Sequence, residues 1–159
     1  MQQIGNWNIY VGTKEEYQLA VNEGMKIVCA LNRANGYVTH QSVVGWSGRG
    51  CNKDNPYYLF KQTDDAIYLN MIDGDNPAYV SDDMINPALE FIKSALEDQD
   101  KVFIYCSLGE SRSPSIALMY LLENDLLATK NAITEFKSRY YNNYFPKRGN
   151  LEYIKNRWL

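Results

Sequence analysis

The chain is short of the residues that make metal and redox chemistry. One histidine, His40, and three cysteines, Cys29, Cys51 and Cys106, are spread over 159 residues, and no two cysteines stand in a CxxC spacing. A zinc site gathers four such ligands, so no metal is expected. An odd number of cysteines without paired spacing argues against a disulfide framework. It argues for free thiols in a reducing compartment, which points to the cytoplasm. Long apolar runs are missing too: none approaches the ~18 residues of a membrane-spanning helix. The opening MQQIGNWNIY lacks the charged-then-apolar order of a signal peptide. A formal net charge of −3 supplies no broad attraction to nucleic acid or to an anionic membrane. There is no internal repeat, low-complexity tract or linker. What is present is ordinary globular material, 45% hydrophobic and 22% charged. Its length suits one good core, and residues 1–159 read as a single domain.

Strand and helix patterns alternate along it. NWNIYVG reads as a first strand. TKEEYQLAVNEG follows with helix punctuation: Thr13 as N-cap, Glu16 as its capping-box partner and Gly24 as the stop. MKIVCALN is a short continuous apolar run of the buried-strand kind, with Cys29 as a small hydrophobe. GYVTHQSVVGW fits a strand or part of a hairpin, with His40 an ordinary polar residue, and Cys51 lies in a Gly-rich loop. DAIYLNM is another strand. DDMINPALEFIKSALEDQ is a helix with acids at its start and Pro87 near its first turn. KVFIY is the most strand-like segment, and three helical stretches follow: SPSIALMYLLEN, TKNAITEFKSRYY and NLEYIKNRWL. The expectation is an α/β domain with a central, mostly parallel sheet of about four or five strands flanked by helices.

Between KVFIY and SPSIALMYLL stands a polar interruption, CSLGESR. In a parallel sheet, ligands bind where a strand's C-terminal end meets a helix N-terminus. Successive backbone N–H groups there form an anion-binding hollow that the helix dipole strengthens. Ser107, Leu108, Gly109, Glu110 and Ser111 would supply those N–H groups, with Gly109 free of steric limits on its backbone. Arg112 can return a planar two-donor fork to two phosphate oxygens. Cys106, at the base, would have its thiolate stabilised by the same field. A thiolate beneath a bound phosphate is a nucleophile for in-line attack on phosphorus. A bare C-x5-R match is common by chance. The strand before it, the helix after it, the glycine and the serines make it specific.

CSLGESRSPS resembles the signature loop of the cysteine-dependent protein tyrosine phosphatases, and SRSPSIALMYLL is closest to their dual-specificity branch. IYVGTKEEYQLAVNEGMKIVCALN, YLNMIDGDNPAYVSDDMINPALEFI and AITEFKSRYYNNYFPKRGNLEYIKNRWL resemble that branch's opening elements, acid loop and closing helices. The resemblance implies a phosphatase of phosphotyrosine and phosphoserine or phosphothreonine in proteins, acting through a cysteinyl-phosphate without cofactor. It implies Cys106 as nucleophile, Arg112 as phosphate clamp and Ser113 as the hydroxyl that helps the sulfur leave. It also implies a general acid after the strand in YLNMIDGDNP, where Asp73 is favoured and Asp75 is the rival. Ser111 would orient the backbone or phosphate, or cap the helix. Glu110 would repel highly phosphorylated ligands. One position departs from the family: Tyr105 stands where a histidine usually precedes the cysteine. That departure keeps open a second reading, a module that binds phosphoprotein without turnover. An RNA 5′-phosphatase on the same fold is a third, for which only FPKRGNLEYIKNR offers local basic charge. Low-molecular-weight phosphatases and arsenate reductases place the cysteine loop ahead of the acid, the reverse of the order here.

Overall fold

A computed structural model describes all 159 residues. Six strands, β1 (Gln2–Gln3), β2 (Ile9–Thr13), β3 (Lys26–Cys29), β4 (Phe60–Gln62), β5 (Ala66–Leu69) and β6 (Val102–Cys106), form one sheet in the order β1-β2-β6-β3-β5-β4. The four inner strands are mutually parallel, and β1 and β4 add antiparallel edges. The expected parallel centre is thus present, and two short antiparallel edge strands bring the sheet to six, against the four or five expected. Neither edge was legible: two or three residues carry no alternation to read.

Strand β6 lies between β2 and β3, and all five of its residues are buried, as a strand covered on both faces requires. Its side chains divide by parity. Val102, Ile104 and Cys106 enter a core of 33 buried residues, whereas Phe103 and Tyr105 enter a smaller one of nine on the opposite face. Cys106 and Tyr105 therefore point to different sides of the sheet.

The larger core is capped by α3 (Asp82–Glu97), α4 (Arg112–Glu123) and α6 (Arg148–Trp158). Every residue of α4 from Arg112 to Leu122 is buried, so this helix is a central pillar rather than an amphipathic surface helix. The Ser115 and Tyr144 hydroxyls, both fully buried, pair at 2.8 Å. The smaller core lies under α1 (Tyr17–Asn22) and α2 (His40–Val44). No helix is long and apolar enough to cross a membrane.

Local punctuation explains most boundaries. The Thr13 N–H donates to the Glu16 carboxylate at 3.0 Å, opening a 3₁₀ turn at Lys14–Glu16 that leads into α1. Gly24 ends the segment with φ +74°. GYVTHQSVVGW is not a strand. Thr39 Oγ1 accepts the Ser42 N–H at 3.1 Å and Gly45 closes with φ +91°, so the apolar pair Val43–Val44 ends a short helix, α2. Pro87 is the sixth residue of α3, so the Asp83 carbonyl receives no N–H from residue 87. The helix expected in TKNAITEFKSRYY is split into α5 (Ala132–Glu135) and a π-type turn at Phe136–Tyr140.

Candidate active site

The loop from Ser107 to Ser111 leaves β6 at the C-terminal end of the parallel strands and enters α4. Gly109 adopts φ +71°, and a Cβ there would lie 3.1 Å from the Gly12 carbonyl oxygen. A glycine is therefore needed twice, for the backbone turn and for the close approach of β2. The rest of the loop is tied from outside. The Tyr141 hydroxyl donates to the Gly109 carbonyl at 2.7 Å, and the Phe145 N–H donates to the Glu110 carbonyl at 2.8 Å. Burial, and after it the nearby Cys106 sulfur, push the Tyr141 phenol up to about 12, so it remains a donor. Lys14 Nζ reaches the Ser107 carbonyl and hydroxyl at 3.4 and 3.3 Å.

Cys106 is buried at the base, and its Sγ lies 3.2 Å from the Ser113 hydroxyl. Ser113 Oγ also lies 3.3 Å from the Gly12 carbonyl. With one proton, that hydroxyl can serve the sulfur or the carbonyl, not both at once. Arg112 is 9% exposed. Its Nη1 donates to Asn32 Oδ1 and to the Met71 carbonyl, each at 3.1 Å, while its buried Nε has no protein acceptor. One edge of the guanidinium is thus anchored and a donor remains for another acceptor.

Asp73 is brought to the loop, although it lies far upstream. Its Oδ1 accepts the Ser111 hydroxyl at 2.7 Å and Asn150 Nδ2 at 3.0 Å. Ser111 forms no side-chain cap on α4, so its expected capping role is absent, and its hydroxyl is turned to Asp73 instead. Cys106, Arg112, Asp73 and Ser111 share the wall of one cavity of about 680 Å³, with Leu108 and Phe145 exposed at its rim. Asp75 is exposed and does not line that cavity. Ser113 sits behind the sulfur, fully buried.

Tyr105 does not join this assembly. Its ring stacks on Phe103 and meets Tyr17 edge-on in the smaller core, and its hydroxyl donates to the Val38 carbonyl at 2.6 Å. His40, an expected bystander, is a buried structural link: Trp46 Nε1 donates to its Nδ1 at 2.9 Å, which leaves Nε2–H to donate to the Tyr57 carbonyl at 2.7 Å. Asn32, Tyr141 and Asn150 were not singled out in the sequence. Nothing in the local pattern marks an asparagine after a strand, or one in a helix's first turn, as a support for a distant loop.

A protein-family model described as the catalytic domain of dual specificity phosphatases matches residues 9–151. This chain belongs to the dual specificity phosphatase family. Solved structures agree on the fold. The human tyrosine phosphatase-like serine/threonine/tyrosine-interacting protein is 16% identical with a TM-score of 0.66, covering 98% of this chain and 93% of that one. The Cydia pomonella PTP-2 phosphatase is 14% identical with a TM-score of 0.66, covering 98% and 88%. Human DUSP28 is 14% identical with a TM-score of 0.65, covering 98% and 90%. In this dual specificity phosphatase fold, Cys106 is the last residue of β6, and Arg112 and Ser113 are the first two of α4, on either side of the Ser107–Ser111 loop.

Proposed function

We propose that this family member is an active phosphatase of phosphotyrosine and phosphoserine or phosphothreonine in proteins. The observation that carries the reading is Arg112: a buried guanidinium, fixed through Nη1 and with Nε lacking an acceptor, on a residue that lines the same cavity as Cys106. A buried cationic donor without an acceptor suits an oxyanion.

The phosphoryl group sits over the loop with its equatorial oxygens on the backbone N–H groups of residues 107–111 and on Arg112. Cys106 Sγ donates a lone pair to phosphorus, forming the S–P bond as the bond to the leaving oxygen breaks. Asp73 gives that oxygen a proton, so it departs as an alcohol or phenol. Water then attacks phosphorus, its proton passes to Asp73, and the S–P bond breaks with its electron pair returning to sulfur. The Ser113 hydroxyl turns from the Gly12 carbonyl to the sulfur and stabilises the departing thiolate. Glu110 in the loop favours a monophosphate over a densely phosphorylated ligand.

The test is phosphate release from an aryl phosphate and from phosphopeptides carrying each phosphoresidue, beside Cys106→Ser. Turnover by wild type and none by Cys106→Ser supports the reading. Binding of phosphate or vanadate without release by wild type would replace it with a phosphoprotein-binding module. Release confined to RNA 5′-phosphate would replace it with an RNA phosphatase.

A further inference from the structure

Asn150 is fully buried, and it is the residue through which α6 grips the acid loop. Its amide nitrogen spends both hydrogens on the site, one on Asp73 Oδ1 at 3.0 Å and one on Ser111 Oγ at 2.9 Å. Ser111 Oγ also accepts the Lys147 N–H at 2.9 Å. With two donors already pointing at that oxygen, the single Ser111 proton is directed to Asp73 Oδ1, at 2.7 Å. The opposite end of the Asn150 amide, Oδ1, is buried with no partner. Turning the amide over would set that oxygen against a carboxylate oxygen, so the orphaned acceptor is the cost of presenting two donors to Asp73 and Ser111. The neighbouring residue closes the same seam. The Gly149 N–H donates to the Gly74 carbonyl at 3.0 Å, and a Cβ on Gly149 would lie 2.5 Å from that carbonyl oxygen.

We infer that Asn150 is a positioning residue for proton transfer, saturating Asp73 Oδ1 with donors so that the proton exchanged in catalysis resides on Oδ2. An oxygen that accepts two N–H or O–H groups is held as an acceptor, and Oδ2 makes no hydrogen bond within the protein. Oδ2 is thus the atom that gives its proton to the leaving oxygen and takes one from water. Asn150 touches neither substrate nor phosphorus and acts through Asp73 and Ser111. The inference rests on the general-acid role proposed above for Asp73.

The experiment measures kcat/KM for two aryl phosphates. Phenyl phosphate has a poor leaving group that needs a proton, and 2,4-dinitrophenyl phosphate has one that departs without it. The variants are Asn150→Ala, the isosteric and uncharged Asn150→Leu, and Asp73→Asn as reference. Vanadate inhibition reports the integrity of the phosphate loop in each. Proton donation contributes about 10²–10⁴-fold, so Asn150→Ala and Asn150→Leu are expected to lose about tenfold or more on phenyl phosphate and under about threefold on the dinitrophenyl ester. Vanadate inhibition should be unchanged. Should Asn150→Ala fail to fold, the shape-preserving, uncharged Asn150→Leu still reads the missing donor. Equal losses on the two substrates, or no loss, with Asp73→Asn discriminating between them, would overturn the role of Asn150 and leave Asp73 standing. If Asp73→Asn itself treats the two substrates alike, the general-acid reading fails and this inference falls with it.

Discussion

Replacing Tyr105 by Phe isolates one hydrogen bond at the family position where histidine is usual. The ring stays in the smaller core between Phe103 and Tyr17, so almost no apolar burial is lost. What disappears is the 2.6 Å bond from the hydroxyl to the Val38 carbonyl. That carbonyl would keep only the 3.8 Å approach of the Cys29 thiol, a weak donor. Leaving a fully buried acceptor without its partner costs about 1–3 kcal/mol, and Val38 is half-buried. In a domain of this size each kcal/mol moves the melting midpoint by about 2–4 °C. The midpoint should therefore fall by about 2–12 °C, toward the lower half because Val38 is only half-buried and Cys29 remains beside it. Calorimetry or circular dichroism at constant pH measures it. Since Tyr105 projects from the face of β6 opposite Cys106, kcat/KM on an aryl phosphate should stay within about twofold, the change expected where no transition-state contact is removed. An unchanged midpoint would refute the hydrogen-bond argument. A tenfold or greater loss of activity with an intact fold would refute the separation of Tyr105 from the site.

Ser113→Ala removes the hydroxyl 3.2 Å from Cys106 Sγ, and rapid-mixing assays should show a burst of leaving group followed by slow turnover as the phosphoenzyme accumulates. Gly109→Ala forces a Cβ onto φ +71° and to 3.1 Å from the Gly12 oxygen, with an expected loss of about 1–2 kcal/mol in chemical denaturation and weaker vanadate inhibition. Burial holds the His40 imidazole below its ordinary value, so the proton prefers the unfolded chain. Stability is then full above about pH 6.5 and declines as pH falls below it. As His40 is the only histidine, the melting midpoint should drop from pH 7 to 5.5, and the drop should flatten in His40→Gln. Burial pushes the Cys29 thiol up to about 11, and iodoacetamide at pH 7.5 followed by mass spectrometry should leave it unmodified in the native protein.

The sequence was most readable where one local pattern decides the structure. KVFIY, the glycine and serines after it, and the apolar helix that follows gave strand, loop and pillar, because each is set by neighbours in the chain. Asp73, four residues past the end of β5, lines the cavity, while Asp75 is exposed outside it. Failures came where tertiary contacts decide. Val43 and Val44 suggested a strand in a segment that Thr39 and Gly45 close into one short helix. Phe136–Tyr140 widens out of α-helical geometry, and Tyr105, read as the strand residue beside the cysteine, faces the other side of the sheet from it. Asn32 and Asn150 were silent because a polar side chain's role is fixed by what lies across the fold, here Arg112 and Asp73.

The signature loop borrows its shape from both extremes of the chain: Gly12 beneath it, then Asn32, Met71, Tyr141 and Asn150 around it. Contacts spanning as many as 101 residues close late in folding, after the local helices and turns. During synthesis, Cys106 and Arg112 leave the ribosome well before Tyr141 and Asn150 do. A nascent chain halted between them would display a reactive-looking cysteine motif with neither its loop buttress nor its seated acid. The geometry of this loop is in this sense a timing property, complete only when α6 docks.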